Sequence, residues 1–233
     1  MNNETVLNEY IYPNMEENYY WSDDLSKEFY IKAAQCAFVT TSMYKNNKFF
    51  LLPEIQFDYA VMDFKNIKTP QKVSKLLKED NYLFTINEKF YEVLDKIKNY
   101  HEESWMKDEY INILKNIKND TCNNKNFKLM SIEISEKKTN LLISGEIGYQ
   151  VGSIYTSLSG FRTKEKKYNN WGKLQLVLLN SYLEKNGYSF WNLGHPQLLY
   201  KLDLGATIYT RKEFIKRWNS EKNNLFERKT LFI

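Results

Sequence analysis

Proline, glycine, cysteine and histidine are all scarce in this chain of 233 residues, with 4, 8, 2 and 2 copies. The two cysteines, Cys36 and Cys122, form no CxxC pair and no Cys/His pairing, which argues against a structural zinc site. Cys36 falls in an apolar helical pattern and Cys122 in a polar loop. Thiols placed this way fit a reducing compartment better than a disulfide framework. No apolar run approaches the ~18 residues that a membrane-crossing helix needs. The first residues, MNNETVLNEYIYPNMEENYY, are polar and acidic and lack the apolar core of a signal peptide. The expectation is a soluble cytoplasmic protein with no membrane partner. The chain has no Gly/Ser linker and no internal repeat. Its net charge of +4 is too small to demand or exclude a nucleic-acid partner, so the distribution of charge has to decide.

What is present describes a globular core. Apolar residues make up 42% and aromatics 16%, with 18 tyrosines and 14 phenylalanines. Many of these must be buried, so tyrosine abundance alone marks no binding site. Asn and Lys are heavily used, which reads as a compositional bias.

Leu25, Phe29, Ala33 and Cys36 recur at helical spacing over residues 24–38. The stretch KFFLLPEIQFDYAVMDF is extended, with strand-like pieces around Pro53. Thr69 is the expected N-cap of the next helix, with Pro70 at its first position and Val73, Leu76 and Leu77 on one side. The strand YLFTI follows. Phe90, Val93, Leu94 and Ile97 then mark one helix, and Tyr110, Ile113, Leu114 and Ile117 another. The polar loop NDTCNNKN separates this helical part from three strands, FKLMSIEI, TNLLISGEIGY and VGSIYTSLSGF. A long helix runs from about Asn169 to Lys185, with Gly187 as its C-terminal stop. The strand YSFWNL, a turn, a short helical piece ending at Gly205 and a final helix complete the chain. Thr210 and Glu213 are spaced as a capping box for that last helix.

Three adjacent strands predict an antiparallel meander, and the crossover helix predicts a parallel partner beyond it. The fold class is therefore α+β: a mixed sheet flanked by helices, of the kind found in GNAT-type acyltransferases. Residues 1–65 are expected to form a smaller N-terminal α/β part and residues 66–233 the GNAT-like catalytic domain.

The order of several segments is similar to one family. WSDDLSKEFYIKAAQCAF resembles an early Asp-Leu-Ser helix, and KTPQKVSKLLKEDNYLFTINEKFYEVL resembles a Ser-Leu-Arg-Lys-Leu stretch followed by a strand and a Phe-centred helix. SWMKDEYINIL resembles a Thr-Trp-Ile…Tyr…Leu segment, and MSIEI resembles His-Ser-Val-Glu-Val. GYQVGSIYTSLSGF resembles a Gly-rich strand pair ending Gly-Glu-Ser-Met-Phe. YSFWNLGHPQLLYKLDLGATIYTRKEF resembles a strand ending Asp-Cys-Gln, then Leu-Gly-Ala and an Arg-Arg-Glu-Phe helix. Together, from Trp21 to Trp218, the chain resembles a divergent leucyl/phenylalanyl-tRNA–protein transferase, a GNAT-like aminoacyl-tRNA-dependent enzyme. The resemblance implies transfer of Leu or Phe from aminoacyl-tRNA to the α-amine of an acceptor protein with a basic N-terminus, which creates a destabilising N-terminus (N-degron). It implies no metal or organic cofactor. A monomer is expected.

An aminoacyl ester is already activated, so the enzyme must align the amine, remove its proton and stabilise the oxyanion. The family places Asp and Gln at a strand end for this. With one residue inserted, Asn192 takes the Asp position here, and Gly194 the Gln position, with His195 beside it. Asn192 can orient or donate a hydrogen bond but cannot act as a carboxylate base. An unperturbed imidazole has the right pKa region for a base near neutral pH, which nominates His195; its competing structural role is to cap the turn before Pro196. The family's acceptor-side Glu aligns with Leu158, while Ser159 and Phe161 are retained. Glu133 could supply negative charge near the cleft, or could be an outward strand residue. Trp105 matches a pocket-lining Trp suited to an adenine or an apolar side chain, or it packs at a helix start. Trp191 lies in an apolar strand and reads as core.

Lys65, Lys68, Lys72, Lys75 and Lys78 form a basic stripe that coincides with the family's basic helix. It is either a phosphate track for tRNA or a solvated lysine face. Two other functions compete. A GNAT-type enzyme with an acyl-CoA donor would need a pyrophosphate-binding Gly turn before the long helix, and FRTKEKKYNNWGKLQ lacks it. A catalytically altered tRNA-binding descendant would account for the departures at Asn192 and Leu158.

Overall fold

The computed structural model describes residues 4–101, 104–120 and 126–224. Cys122 and most of the polar loop around it lie outside the described residues. A short helix α1 (Glu4–Val6) runs into a π-turn, and α2 spans Lys27–Gln35 with the Ser26 side chain accepting from the Phe29 amide. The buried face of α2 is Tyr30, Ala33 and Ala34, whereas Leu25 is exposed. The expected apolar stripe is thus rotated, because Leu25 precedes the first helical turn.

Strands β1 (Val39–Lys45) and β2 (Lys48–Glu54) form a hairpin of their own. The sequence reading did not anticipate β1. Its two-residue turn is Asn46–Asn47, both at positive φ, the backbone that the natural twist of a hairpin favours. Glu54 closes β2.

Among the described residues, the main sheet has seven strands in the order β4-β5-β6-β7-β8-β3-β9, with β3 Asp58–Met62, β4 Tyr82–Ile86, β5 Phe127–Glu136, β6 Leu142–Val151, β7 Ile154–Arg162, β8 Phe190–Asn192 and β9 Thr207–Thr210. All neighbours are antiparallel except β7 and β8. The β5-β6-β7 meander and the parallel β8 match the expectation, because a crossover helix returns the chain in the same direction. The fold is α+β, a mixed sheet flanked by helices.

Helix α3 spans Gln71–Glu79, α4 Phe90–Tyr100, α5 Asp108–Asn119, α6 Trp171–Lys185, α7 Tyr200–Asp203 and α8 Arg211–Glu221. The N-cap of α3 is Pro70 in extended backbone, without a side-chain cap, rather than Thr69. Phe90, Val93, Leu94 and Ile97 on α4 are buried, as are Tyr110, Ile113, Leu114 and Ile117 on α5, as their spacing predicts. Gly187 follows α6 at φ +77°, and the Thr210–Glu213 capping box has both arms in place.

One face of the sheet packs with α2, α4, α5, α8 and the hairpin into the largest core cluster, which includes Tyr30, Phe90, Tyr110, Phe190, Phe214 and Trp218. The other face meets α6 through Met130, Ile132, Tyr155, Leu179, Leu183 and Trp191. Trp191 is therefore core. Arg211, at the start of α8, is buried and donates to the carbonyls of Ile55 (2.6 Å), Gln56 (3.0 Å), Glu17 (3.3 Å) and Asn14. It anchors the corner after β2 to the N-terminal segment.

Candidate active site

The parallel pairing of β7 and β8 is brief. Ile154, Tyr155 and Thr156 stand opposite Phe190, Trp191 and Asn192. Beyond Thr156, β7 continues along β6 to Arg162, with a bulge that leaves Leu158 between the pairs Gly148–Ser157 and Ile147–Ser159. Beyond Asn192, the chain instead follows β3: Leu193 N–H donates to Ala60 O (2.9 Å) and Ala60 N–H to Gly194 O (2.8 Å). The two strands part at their C-terminal ends, the position at which parallel strands commonly present a ligand site.

Asn192 is buried at this parting. Its Oδ1 accepts from the Gly194 amide (2.9 Å) and its Nδ2 reaches Thr156 Oγ1 (3.4 Å), so the side chain shapes the turn. Gly194 has φ +73°, a left-handed backbone that an L side chain rarely adopts. The turn carries His195 toward β2, where its Nε2 lies 2.9 Å from Glu54 Oε1. Glu54 is 2% exposed, while the His195 side chain keeps 39% of its surface open. Asn18 Nδ2 donates to the same Glu54 oxygen (2.8 Å), and Gln56 Nε2 approaches the other at 3.5 Å.

The turn is held from below by a lysine. Lys201 on α7 is buried and its ammonium donates to the carbonyls of Leu193 and His195, each at 2.6 Å. Burial pushes its pKa down to about 8, against the opposing pull of Glu146. Glu146, on β6, is also buried. Tyr155 and Ser157 hydroxyls each donate to Oε1 at 2.8 Å, and Gln175 Nε2 approaches Oε2 at 3.3 Å. Burial raises this carboxyl to about 7, with the hydrogen bonds and Lys201 opposing. Trp191 Nε1 donates to Ser157 Oγ (2.8 Å), tying the two parted strands together. Burial thus shifts a carboxyl and an amine beneath the turn in opposite directions, and the amine reaches the histidine through its backbone carbonyl.

The other sequence-nominated residues divide. Leu158, Ser159 and Phe161 lie on the parted half of β7, with Leu158 and Ser159 half-buried and Phe161 buried. Trp105 is half-buried, packs edge-on against Tyr110 with 4.9 Å between ring centroids, and accepts at its carbonyl from Ser42 Oγ. Glu133 is fully buried on β5. It accepts from Thr85 Oγ1 (2.8 Å), Ser131 Oγ and the Lys89 amide (3.3 Å) at the start of α4. Its pKa is raised by burial, with those hydrogen bonds opposing. None of its hydrogen bonds reaches the His195 turn. Lys65, Lys68, Lys72, Lys75 and Lys78 are all exposed around α3, and Lys75 pairs loosely with Glu79 at 3.8 Å.

Glu54, Glu146 and Lys201 were not singled out from the sequence. Ser144, Glu146, Gly148 and Gln150 alternate along β6 like a solvated face, but Ser144 and Glu146 are buried and bonded to Gln175 of α6. The one signal was Gln175, a polar residue among the apolar positions of α6, whose Oε1 accepts from Ser144 Oγ (2.7 Å).

The sequence model for leucyl/phenylalanyl-tRNA protein transferase matches residues 61–219, most of the chain. No curated protein matches it. Among solved structures, L-PGS from Bacillus licheniformis is similar at 9% identity and a TM-score of 0.41, with 67% of this chain and 46% of that one covered. The C-terminal domain of a putative lysylphosphatidylglycerol synthetase from Agrobacterium fabrum is similar at 11% identity and a TM-score of 0.41, with 71% and 51% covered. The chain thus spans about half the length of these structures.

Proposed function

The chain belongs to the leucyl/phenylalanyl-tRNA protein transferase family, and from that premise we propose that it transfers an aminoacyl group, Leu or Phe, from charged tRNA to the N-terminal α-amine of an acceptor protein. The amine nitrogen attacks the ester carbonyl, the new C–N bond forms, and the C–O bond to the terminal ribose breaks. His195 takes the amine proton and returns it to the departing ribose oxygen. Asn192 fixes the turn that presents His195. The product is a protein with a new, destabilising N-terminus, which assigns the enzyme to an N-degron pathway in the cytoplasm.

The observation that carries this reading is the accessible ring of His195 at the end of the brief β7–β8 pairing, inside the matched segment. Trp105, Leu158, Ser159 and Phe161 are assigned to the aminoacyl and acceptor side, Glu133 to its charge, and the α3 lysines to tRNA phosphates. The GNAT-like catalytic domain is assigned to residues 66–233 and the smaller N-terminal part to residues 1–65, which lends that domain strand β3, paired between β8 and β9. The substitution of the family's Asp by Asn192 favours one second reading, a tRNA-binding descendant without transfer activity. Radiolabelled Leu or Phe transfer from tRNA to a peptide with a basic N-terminus separates the two. Transfer that is lost in His195→Ala supports the proposal; tRNA binding without any transfer supports the descendant; full transfer by His195→Ala removes the histidine from the mechanism.

A further inference from the structure

Glu54 lies outside the matched segment, on a hairpin that belongs to neither half of the main sheet. It nevertheless meets His195 across 141 positions of sequence at 2.9 Å. A carboxylate buried on a strand end is unusual without strong compensation. Here the described contacts to its oxygens come from donors: Asn18 at 2.8 Å, Gln56 at 3.5 Å, the imidazole and the Tyr19 hydroxyl. The corner that bears it is fixed independently by Arg211, which donates to the carbonyls of Ile55 and Gln56. The Tyr59 hydroxyl adds a further hold by accepting from the Gln56 amide (2.9 Å).

We propose that Glu54 is the positioning residue of the site, holding His195 in the tautomer that carries its proton on Nε2 and so leaving Nδ1 as the nitrogen that accepts a proton. The inference rests on the assignment of His195 as the proton acceptor. An ionised carboxylate only accepts, so the nitrogen facing it must donate. A neutral imidazole has one donor nitrogen and one acceptor nitrogen, so fixing the first defines the second. The same contact fixes the ring's rotation, which a half-exposed histidine on a glycine turn would otherwise lack. Residues outside the matched segment thereby complete the site. The charged or titratable groups that bear on Glu54 are His195, Tyr19, Tyr59 and Arg211.

The chain has only two histidines, His101 and His195, so nitrogen-15 NMR of the full chain resolves both, and His195→Ala assigns them. The wild-type protein is expected to show His195 protonated at Nε2 near neutral pH; protonation at Nδ1 overturns the proposal without any variant. Glu54→Gln keeps the shape but can turn its amide N–H toward Nε2. It is expected to mix the tautomers, alter the pH profile of transfer and lower kcat by about 10- to 100-fold, the usual effect of losing a partner that orients a histidine, with tRNA affinity unchanged. If His195→Ala abolishes transfer while a folded Glu54→Gln protein retains wild-type kcat and tautomer, Glu54 has no positioning role. If His195→Ala is fully active, the assignment of the histidine fails, and the NMR result alone decides whether Glu54 sets its tautomer.

Discussion

The Tyr155 hydroxyl donates to Glu146 Oε1 at 2.8 Å inside the sheet, where both residues are buried. Two polar side chains from neighbouring strands thus meet beneath α6, and a carboxyl raised to about 7 is the consequence of that burial. A raised folded-state value means that Glu146's contribution to stability is complete below pH 4.5 and is lost as the pH rises through 7. Glu146→Gln should remove that slope. Relative to wild type, the variant gains on the order of 3 kcal/mol between pH 4.5 and 7.5. Urea unfolding at the two pH values measures it, and an unchanged difference would show that the carboxyl does not titrate across this range.

Lys201→Met leaves the carbonyls of Leu193 and His195 without their buried donor. Each lost partner costs about 1–3 kcal/mol, partly offset because a buried ammonium is itself expensive. A net loss of about 2 kcal/mol is expected by urea unfolding. Transfer activity should fall further than this loss explains, because the turn that carries His195 loosens. Activity equal to wild type at a temperature where the variant is fully folded would show that the turn holds itself.

Gly205 has φ +105°, and a Cβ built there falls 2.0 Å from the Asn66 carbonyl oxygen. The Lys68 amide donates to Leu204 O (2.8 Å) beside it, so the two segments cannot separate cheaply. Gly205→Ala should cost about 3 kcal/mol or more and lower Tm by roughly 10 °C. Calorimetry reads this directly; a shift of a degree or two would mean that the close approach relaxes.

Reversing charge at Lys72 and Lys75 tests the α3 stripe. If the stripe tracks phosphates, Lys72→Glu with Lys75→Glu lowers tRNA affinity at low salt and flattens the dependence of log K on log salt, by roughly 1 to 2 in slope. Transfer at saturating tRNA should be preserved. An unchanged salt slope identifies the stripe as ordinary surface.

Helices α4 and α5, the β5-β6-β7 meander and the Thr210–Glu213 cap were legible because each follows from local periodicity or spacing. Helix α2 was legible in place but not in face, since Leu25 mimics a stripe residue just before the helix starts. Strand β1 was missed because its Thr and Ser residues interrupt the apolar pattern, although Thr40 and Ser42 are buried. At the candidate site, the strand end with Asn192 and His195 could be located from its turn residues. Its partners could not. Glu54 and Lys201 look like ordinary surface charges in LLPEIQF and LLYKLDL, and only tertiary packing buries them. The pairing of Glu54 with His195 has no local signature at all.

The seven strands divide at the three-residue junction of β7 with β8 into a four-strand plate and a three-strand plate. Few ladder hydrogen bonds cross that line, so the load falls on Trp191 bonded to Ser157, on the Ser189 amide donating to Ser153 O (2.8 Å), on the Glu221 carboxylate that accepts from both serine hydroxyls, and on α6. In a pulling or hydrogen-exchange experiment this line is where the protein should yield first, as two stiff leaves about a spine. The proposed transfer, which brings the end of an RNA and the end of a protein together, would then have its chemistry at the spine of an opening book.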